Sequence, residues 1–240
     1  KTSTSGENMR TLPFIAISIM SIACSSGYAY TAAKSIVTAD SQNTSIDTGT
    51  NHSAASAQWA KTYEDGSVSS GYATSEINVN YGSMLIRSDT GGNTYGGGTS
   101  VGSAHIEDSI NIDADSFNGT AGYAIARIIF TTQYSGDAHT STTDQSYADD
   151  SLFFRILTNS QTAISISIIN NPLTTSSIIE SLDGTTYSNQ INETLEVKIP
   201  ITFGQSQYIY TSADQHAQSY NGHTTSTYAM TWDGISSVYS

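Results

Sequence analysis

The segment Thr162–Ile169 reads TAISISII, and three of its isoleucines fall on every second residue. Ile164, Ile166 and Ile168 alternate with serines, which is the period of a β-strand with one buried face rather than that of a helix. The preceding segment Leu152–Leu157 is also apolar, and the turn-forming residues Thr-Asn-Ser-Gln lie between the two. This pattern predicts a β-hairpin.

Similar segments recur along the chain, separated by stretches rich in Ser, Thr, Asn and Gly. They predict about ten to twelve strands, without a helix of more than a turn or two, and hence an all-β antiparallel β-sandwich, jelly-roll-like, over residues 27–240. Three connections, Asp40–Ser56, Ser88–Gly102 and Ser135–Asp150, read as loops. The predicted strands outside the hairpin are Tyr28–Thr38, Ala57–Tyr63, His105–Asp113, Tyr123–Tyr134, Leu195–Phe203, Gln207–Thr211 and Thr227–Trp232. The segment Val68–Arg87 is predicted to be a longer strand or a hairpin.

The excess of acidic over basic residues limits the classes of molecule that this protein is expected to bind. Charged residues make up 12% of the chain, and the formal net charge is −13. Such a surface repels nucleic-acid phosphates and anionic membranes, so neither is an expected partner. It attracts divalent cations and suits an extracellular or cell-surface setting.

The run Thr11–Ala23 is the longest uncharged apolar stretch, and it has three interpretations. With Arg10 and a small-residue site at Gly27-Tyr28-Ala29 it resembles a signal peptide. As a membrane helix it is too short, because about 12 residues span roughly 18 Å of a core of about 30 Å. We favour a mature strand, since a cleaved signal peptide would be missing from the chain.

As a strand, this run is apolar on both faces and needs cover on both. Residues 1–26 would therefore form an N-terminal strand extension, with a hinge at Ser25-Ser26-Gly27, that docks in a neighbouring subunit. Burial of its large side chains would contribute roughly 10 kcal/mol gross. The expected interface residues of this donor strand are Leu12, Phe14, Ile15, Ile17, Ile19, Met20 and Ile22.

Cys24 is the only cysteine, so no intramolecular disulfide forms. We interpret it as a small buried side chain of the N-terminal strand. The alternative is a lipid-attachment cysteine, because Ser21-Ile22-Ala23-Cys24 loosely resembles a bacterial lipobox.

Three segments, Ile112–Gly122, Val197–Gln205 and Tyr228–Val238, together resemble the exported β-rich surface proteins of Gram-negative bacteria that carry a PEP-CTERM sorting tail. The sequence has no Pro-Glu-Pro motif and no apolar C-terminal helix. The resemblance implies a secreted protein associated with exopolysaccharide or the cell surface, and it implies no activity.

No motif indicates an enzyme. The five histidines lack a compact metal-ligand spacing, and the chain has no Gly-x-Ser-x-Gly elbow and no phosphate-binding loop. We therefore expect a protein without catalytic residues and without a required cofactor.

Calcium is the cofactor that the acidic residues would suit best, because oxygen ligands on loops are what calcium requires. The candidate ligands are Asp113, Asp115, Asp149 and Asp150; the alternative is that these aspartates only keep turns and edge strands soluble. Candidate glycosylation sites are the Asn-x-Ser/Thr sequons at Asn43, Asn51, Asn118 and Asn192. Trp59 and Trp232 could stack on sugars or fill the core.

Two functions fit these features. The first is a structural subunit of an extracellular filament or pilus, assembled head to tail by donation of the N-terminal strand to a neighbouring sandwich. The alternative is a monomeric secreted surface or biofilm-matrix protein that binds polysaccharide, with the same strand folded into its own domain.

Overall fold

Fourteen β-strands, all paired antiparallel, form the fold in the part of the chain that the structure describes. This computed structural model describes residues 30–39, 43–80, 82–93, 96–114, 116–138, 146–159, 161–170, 175–181, 186–188 and 193–240. The strands are β1 (Tyr30–Ala39), β2 (Asn43–Gly49), β3 (His52–Thr62), β4 (Val68–Asn80), β5 (Ser83–Asn93), β6 (Gly97–Asn111), β7 (Ala121–Ala138), β8 (Tyr147–Thr158), β9 (Gln161–Asn170), β10 (Thr175–Ser181), β11 (Thr186–Ser188), β12 (Glu193–Thr202), β13 (Ser206–Tyr220) and β14 (Gly222–Tyr239).

The strands lie in two sheets packed face to face, which confirms the predicted β-sandwich. The eight-stranded sheet has the order β11-β10-β9-β8-β13-β6-β1-β2, and the six-stranded sheet has the order β12-β7-β14-β5-β4-β3. The hairpin predicted from the alternating isoleucines is β8–β9, with Thr158 opposite Gln161. Its turn contains Asn159 at a φ of 45°, a conformation that asparagine tolerates better than most side chains.

The inward side chains change from apolar to polar along the central strands. In β5, the inward residues Met84 and Ile86 are apolar and the next two, Ser88 and Thr90, are hydroxylated. In the antiparallel neighbour β14 the order is reversed, because the inward residues Thr224 and Ser226 precede Tyr228 and Met230. The sandwich therefore has an apolar end and a polar end. The largest fully buried apolar side chains include Phe154, Ile77, Ile86, Ile128, Leu152, Ile156, Ile164, Ile166, Ile168 and Ile199.

Glycines allow the two sheets to approach closely at the polar end. A Cβ on Gly98 of β6 would lie 2.0 Å from the carbonyl oxygen of Tyr72 in β4, which belongs to the other sheet. A Cβ on Gly71 would likewise lie 2.1 Å from the carbonyl oxygen of Gly97. The interpretation of Ser88–Gly102 as a loop was therefore wrong: its glycines form parts of β5 and β6 and permit the close contact.

The other two predicted loops also contain strand residues. Asp40–Ser56 contains β2 and the start of β3, and its inward positions are small residues such as Ser53 and Ala55. Ser135–Asp150 contains the end of β7 and the start of β8. Both carry too few large apolar side chains to show a strand in the sequence, although backbone pairing does not depend on such side chains.

Candidate functional site

The two sheets end unevenly at one side of the sandwich. At the other side β2 and β3 face each other, so both sheets end together. Here the six-stranded sheet ends at β12, which lies opposite β9, whereas the eight-stranded sheet continues through β10 and β11. Within the described residues, β12 pairs on one side only, with β7. The shorter sheet thus has a strand edge beside two strands that extend beyond it.

The side chains of β12 alternate as expected for an edge strand of a sandwich. Its inward residues Leu195, Val197, Ile199 and Ile201 are buried in the apolar core. Its outward face carries charged residues and Pro200, which edge strands tolerate. The ammonium group of Lys198 lies over the ring of Tyr123 in β7, 4.0 Å from the ring centroid. The strand is therefore firmly attached to β7.

The predicted donor-strand residues, Leu12 to Ile22, lie outside the described residues, as does the whole extension 1–26. Every described strand falls within the predicted domain 27–240.

Two of the candidate glycosylation sites have described, exposed side chains. The side-chain oxygen of Asn51 accepts a hydrogen bond of 2.6 Å from the hydroxyl of Thr31. Asn118 donates from its amide nitrogen to Asp113 at 2.8 Å, so this nitrogen already has a partner. Asn43 begins β2, and Asn192 lies outside the described residues.

The candidate calcium ligands do not converge. Asp149 and Asp150 are adjacent in β8 and point to opposite faces, so their carboxylates cannot share one ion. Asp113 is exposed and accepts from Asn118, while Asp115 is outside the described residues. Within the described part of the chain, no group of three or more His, Cys, Asp or Glu residues could hold a metal ion.

Asp150 is instead the centre of a buried polar cluster between the sheets. It is 2% exposed, and its Oδ1 accepts hydrogen bonds from Gln215 Nε2 at 2.7 Å and Ser226 Oγ at 2.9 Å. Its Oδ2 accepts from the Tyr228 hydroxyl and from Asn170 Nδ2 at 3.3 Å. Asn170 and Gln215 belong to the eight-stranded sheet, and Ser226 and Tyr228 to the other. The cluster therefore connects the two sheets through one carboxylate.

The second part of the cluster surrounds the amide of Gln215. Its Nε2 also contacts the hydroxyls of Ser226, at 2.7 Å, and of Ser88, and these two hydroxyls are 3.0 Å apart. Its Oε1 is buried and has no hydrogen-bond partner among the residues that the structure describes. Burial raises the pKa of Asp150 to about 6, although the hydrogen bonds from Gln215, Ser226 and Asn170 act in the opposite direction.

The sequence contains a signal for this cluster that the loop interpretation hid. Asp150 is in phase with the inward residues Leu152 and Phe154, and Ser226 is in phase with Tyr228. A polar residue in phase with a buried apolar series points into the core, where it needs hydrogen-bond partners.

A surface cluster on the six-stranded sheet places a histidine beside an aspartate. His223 Nε2 is 2.9 Å from Asp89 Oδ1, to which the Tyr72 hydroxyl also donates, at 3.1 Å. Burial and the Asp89 carboxylate raise the pKa of Tyr72 to about 12. Thr225 Oγ1 also approaches Nε2, at 3.2 Å, whereas a relay that activates a hydroxyl uses both ring nitrogens. This arrangement is therefore a hydrogen-bonded surface cluster of a histidine, an aspartate and a tyrosine.

A shallow depression of about 350 Å³ lies at the β3–β4 hairpin. Its lining includes Trp59 and Tyr72 together with polar side chains, Gln58 and Ser70. Trp59 is half-buried against small core residues, and Trp232 packs against the main core. Trp59 is in phase with the inward residues of β3, whereas Tyr72 lies on the outer face of β4, so the two rings do not share one surface. The half-buried ring of Trp59 is the part of this lining on which a sugar ring can stack.

Among the described residues, none forms a helix long and apolar enough to cross a membrane. Comparison with protein-family models, with curated proteins and with solved structures gave no match.

Proposed function

We propose that this protein is a structural subunit of an extracellular filament in which the N-terminal segment of one subunit pairs with β12 of the next. The observation that carries the proposal is the uneven end of the sandwich, where β10 and β11 extend past the edge strand β12. A strand added to β12 would continue the shorter sheet opposite them and satisfy its free backbone groups.

The lengths of the two segments match. β12 has 10 residues, which span roughly 33 Å at about 3.3 Å per residue. The apolar run at residues 11–23 could pair along this whole length. Its two apolar faces suit a position inside a sandwich, where one face meets the opposite sheet and the other needs cover as well. Donation from each subunit to the next does not close, and so it produces a fibre.

Cross-linking distinguishes donation between subunits from folding back within one. In a Cys24→Ser background, Ile17→Cys is combined with Glu196→Cys on the outward face of β12 and treated with a short bismaleimide. We expect a ladder of covalent oligomers on a denaturing gel. The matched control replaces Glu196→Cys with Ser56→Cys, exposed on β3 at the far edge of the same sheet, and should give no ladder.

The variants also test assembly directly. Negative-stain images should show fibres for the full chain, and monomers for the deletion of residues 1–26 and for Ile17→Asp. Ser5→Asp, in the polar lead, should leave the fibres intact. A cross-linked monomer without a ladder would favour a self-contained domain, and fibres that survive the deletion would refute strand donation.

The second candidate function, polysaccharide binding by a secreted surface protein, is favoured by the depression at Trp59. Stacking of a sugar on an aromatic ring requires the ring itself. We therefore expect Trp59→Ala to weaken retention on an immobilised acidic or neutral exopolysaccharide, while Trp232→Ala, a core variant, changes stability instead. Equal retention of the wild type and Trp59→Ala would exclude this site.

A further inference from the structure

We propose that Gln215 and Ser226 form an intramolecular ester that joins β13 of one sheet to β14 of the other, with release of ammonia. The reaction needs only groups of the buried cluster. It does not depend on filament assembly, because all the reacting atoms belong to one chain.

The nucleophile and the acyl group are already in contact. Ser226 Oγ lies 2.7 Å from Gln215 Nε2, and since an amide C–N bond is about 1.33 Å, the hydroxyl oxygen is within about 4 Å of the carbon Cδ. Gln215 and Ser226 are each 1% exposed. Few side-chain movements are open to them in this packed interior, so the reacting groups are held close to an attack geometry.

One carboxylate oxygen contacts both the proton donor and the leaving group. Asp150 Oδ1 accepts from Ser226 Oγ at 2.9 Å and from Gln215 Nε2 at 2.7 Å. As Oγ bonds to Cδ, its proton passes to Oδ1. As the Cδ–Nε2 bond breaks, that proton passes to Nε2, which leaves as ammonia. The primary amide and the alcohol become an ester and ammonia, Asp150 is regenerated, and no oxidant or other reactant is consumed.

The surroundings of Gln215 and Ser226 favour attack on the amide and retention of the ester. Burial brings the pKa of Asp150 to about 6, closer to neutral pH than that of an ordinary carboxyl group, so it is a stronger base. Gln215 Oε1 is buried and has no hydrogen-bond donor among the described residues. In the product it becomes an ester carbonyl oxygen, a weaker acceptor than an amide oxygen, so leaving it unpaired costs less there. The exclusion of water protects the ester from hydrolysis once ammonia has left.

Ser226 is assigned as the nucleophile in preference to Ser88. Both hydroxyls contact Gln215 Nε2, and they face each other across β5 and β14. Ser226 donates to the carboxylate, whereas Ser88 makes its contacts to Ser226 and to Gln215. Ser226 is therefore in direct contact with the base, whereas Ser88 is connected to the base through Ser226 or Gln215.

The mass of the intact wild-type protein tests the proposal, because loss of ammonia lowers it by about 17 Da relative to the sequence. Trypsin then locates the bond. Lys198 is the last Lys or Arg, so Gln215 and Ser226 share the peptide 199–240, whereas a Ser88 ester would join it to the peptide 88–127. Chymotrypsin cleaves after Tyr220, between the two residues, and an ester keeps the two resulting fragments linked.

The variants separate this ester from other losses of ammonia. A succinimide at Asn221, which precedes Gly222, has the same mass but lets the two chymotryptic fragments separate. Ser226→Ala, Gln215→Ala and Asp150→Asn should show the full sequence mass, and Ser88→Ala should keep the loss. An unmodified wild-type mass would overturn the proposal, and so would a loss that persists in Ser226→Ala. The wild-type result decides the question even if a variant fails to fold.

Discussion

Replacement of Asp150 by asparagine should abolish one component of the pH dependence of the free energy of unfolding. The carboxyl group has a pKa of about 6 in the folded protein and of about 3.8 when solvated. The folded state therefore holds the proton more tightly than the unfolded state does. The stability that this group contributes is complete below about pH 3.8 and is lost as the pH rises through about 6, a loss of about 3 kcal/mol.

The assay is urea denaturation of the wild type and Asp150→Asn at a series of pH values between acid and neutral. We expect the free energy of unfolding of the wild type minus that of the variant to fall by about 3 kcal/mol across this range. The pKa values of Asp47, Asp65 and Glu76 are lowered, so these groups titrate with the opposite sign, but they are common to both proteins. Their contributions cancel in the difference.

A control variant and the expected effect of ester formation make the result of this experiment unambiguous. The control Asp149→Asn changes the adjacent residue on the opposite face of β8 and leaves the buried carboxyl group of Asp150 in place, so the loss of stability due to Asp150 should remain. Formation of the ester would remove the hydrogen bonds that Gln215 and Ser226 donate to Asp150. Because both hydrogen bonds lower the pKa of Asp150, their loss would raise it further, and the direction of the effect would not change. A difference between wild type and Asp150→Asn that stays constant with pH would refute the reasoning.

Three further variants test the packing of the core, the close approach of the two sheets and a surface ion pair. Phe154→Ala removes a fully buried ring that lies 5.5 Å from that of Phe130 and should cost about 3–5 kcal/mol in urea denaturation, whereas Phe153→Ala, on the outer face, should cost less than about 1 kcal/mol. Gly98→Ala forces a Cβ against the Tyr72 carbonyl and should lower the midpoint of thermal unfolding through a cost of about 1–3 kcal/mol. Its control Ser100→Ala removes a buried hydroxyl that has no hydrogen-bond partner in the described part of the chain, and it should be neutral or stabilising. Arg87→Ala breaks an exposed 3.4 Å pair with Glu76 and should change the free energy of unfolding by less than about 1 kcal/mol.

The sequence predicted those parts of the fold in which large apolar residues mark the strands. The alternating isoleucines of β9 identified the hairpin with β8, and the strands expected at Tyr123–Tyr134 and Leu195–Phe203 correspond to β7 and β12. Strands whose inward residues are Ser, Gly and Ala were missed, because at these positions the sheet is held by backbone hydrogen bonds and close approach. Neither the backbone hydrogen bonds nor the close approach of the sheets can be recognised from the pattern of side chains.

The candidate sites also combine features that the local sequence indicates with features that depend on long-range pairing. The sequence alone indicated that an apolar run needs cover, but the uneven sheets depend on the strand order, which only long-range pairing determines. The cluster at Asp150 combines residues from β5, β8, β9, β13 and β14. Gln215 and Ser88 are 127 positions apart in the chain, so no local motif could have placed them together.

The position of the cluster in the sandwich gives a physical reason for a bond between the sheets at this point. Toward the apolar end, residues such as Phe154 and Ile86 hold the sheets together by burial, which contributes about 1.5–3 kcal/mol for each large side chain. Toward the polar end, small hydroxylated residues bury little apolar surface, and several of their hydroxyls, including those of Thr90 and Ser100, have no hydrogen-bond partner among the described residues. Association of the sheets there must depend more heavily on direct polar contacts. The Asp150 cluster lies where the two regimes meet, so a polar or covalent connection at Gln215 and Ser226 would hold the sheets together at the point where burial ceases to do so.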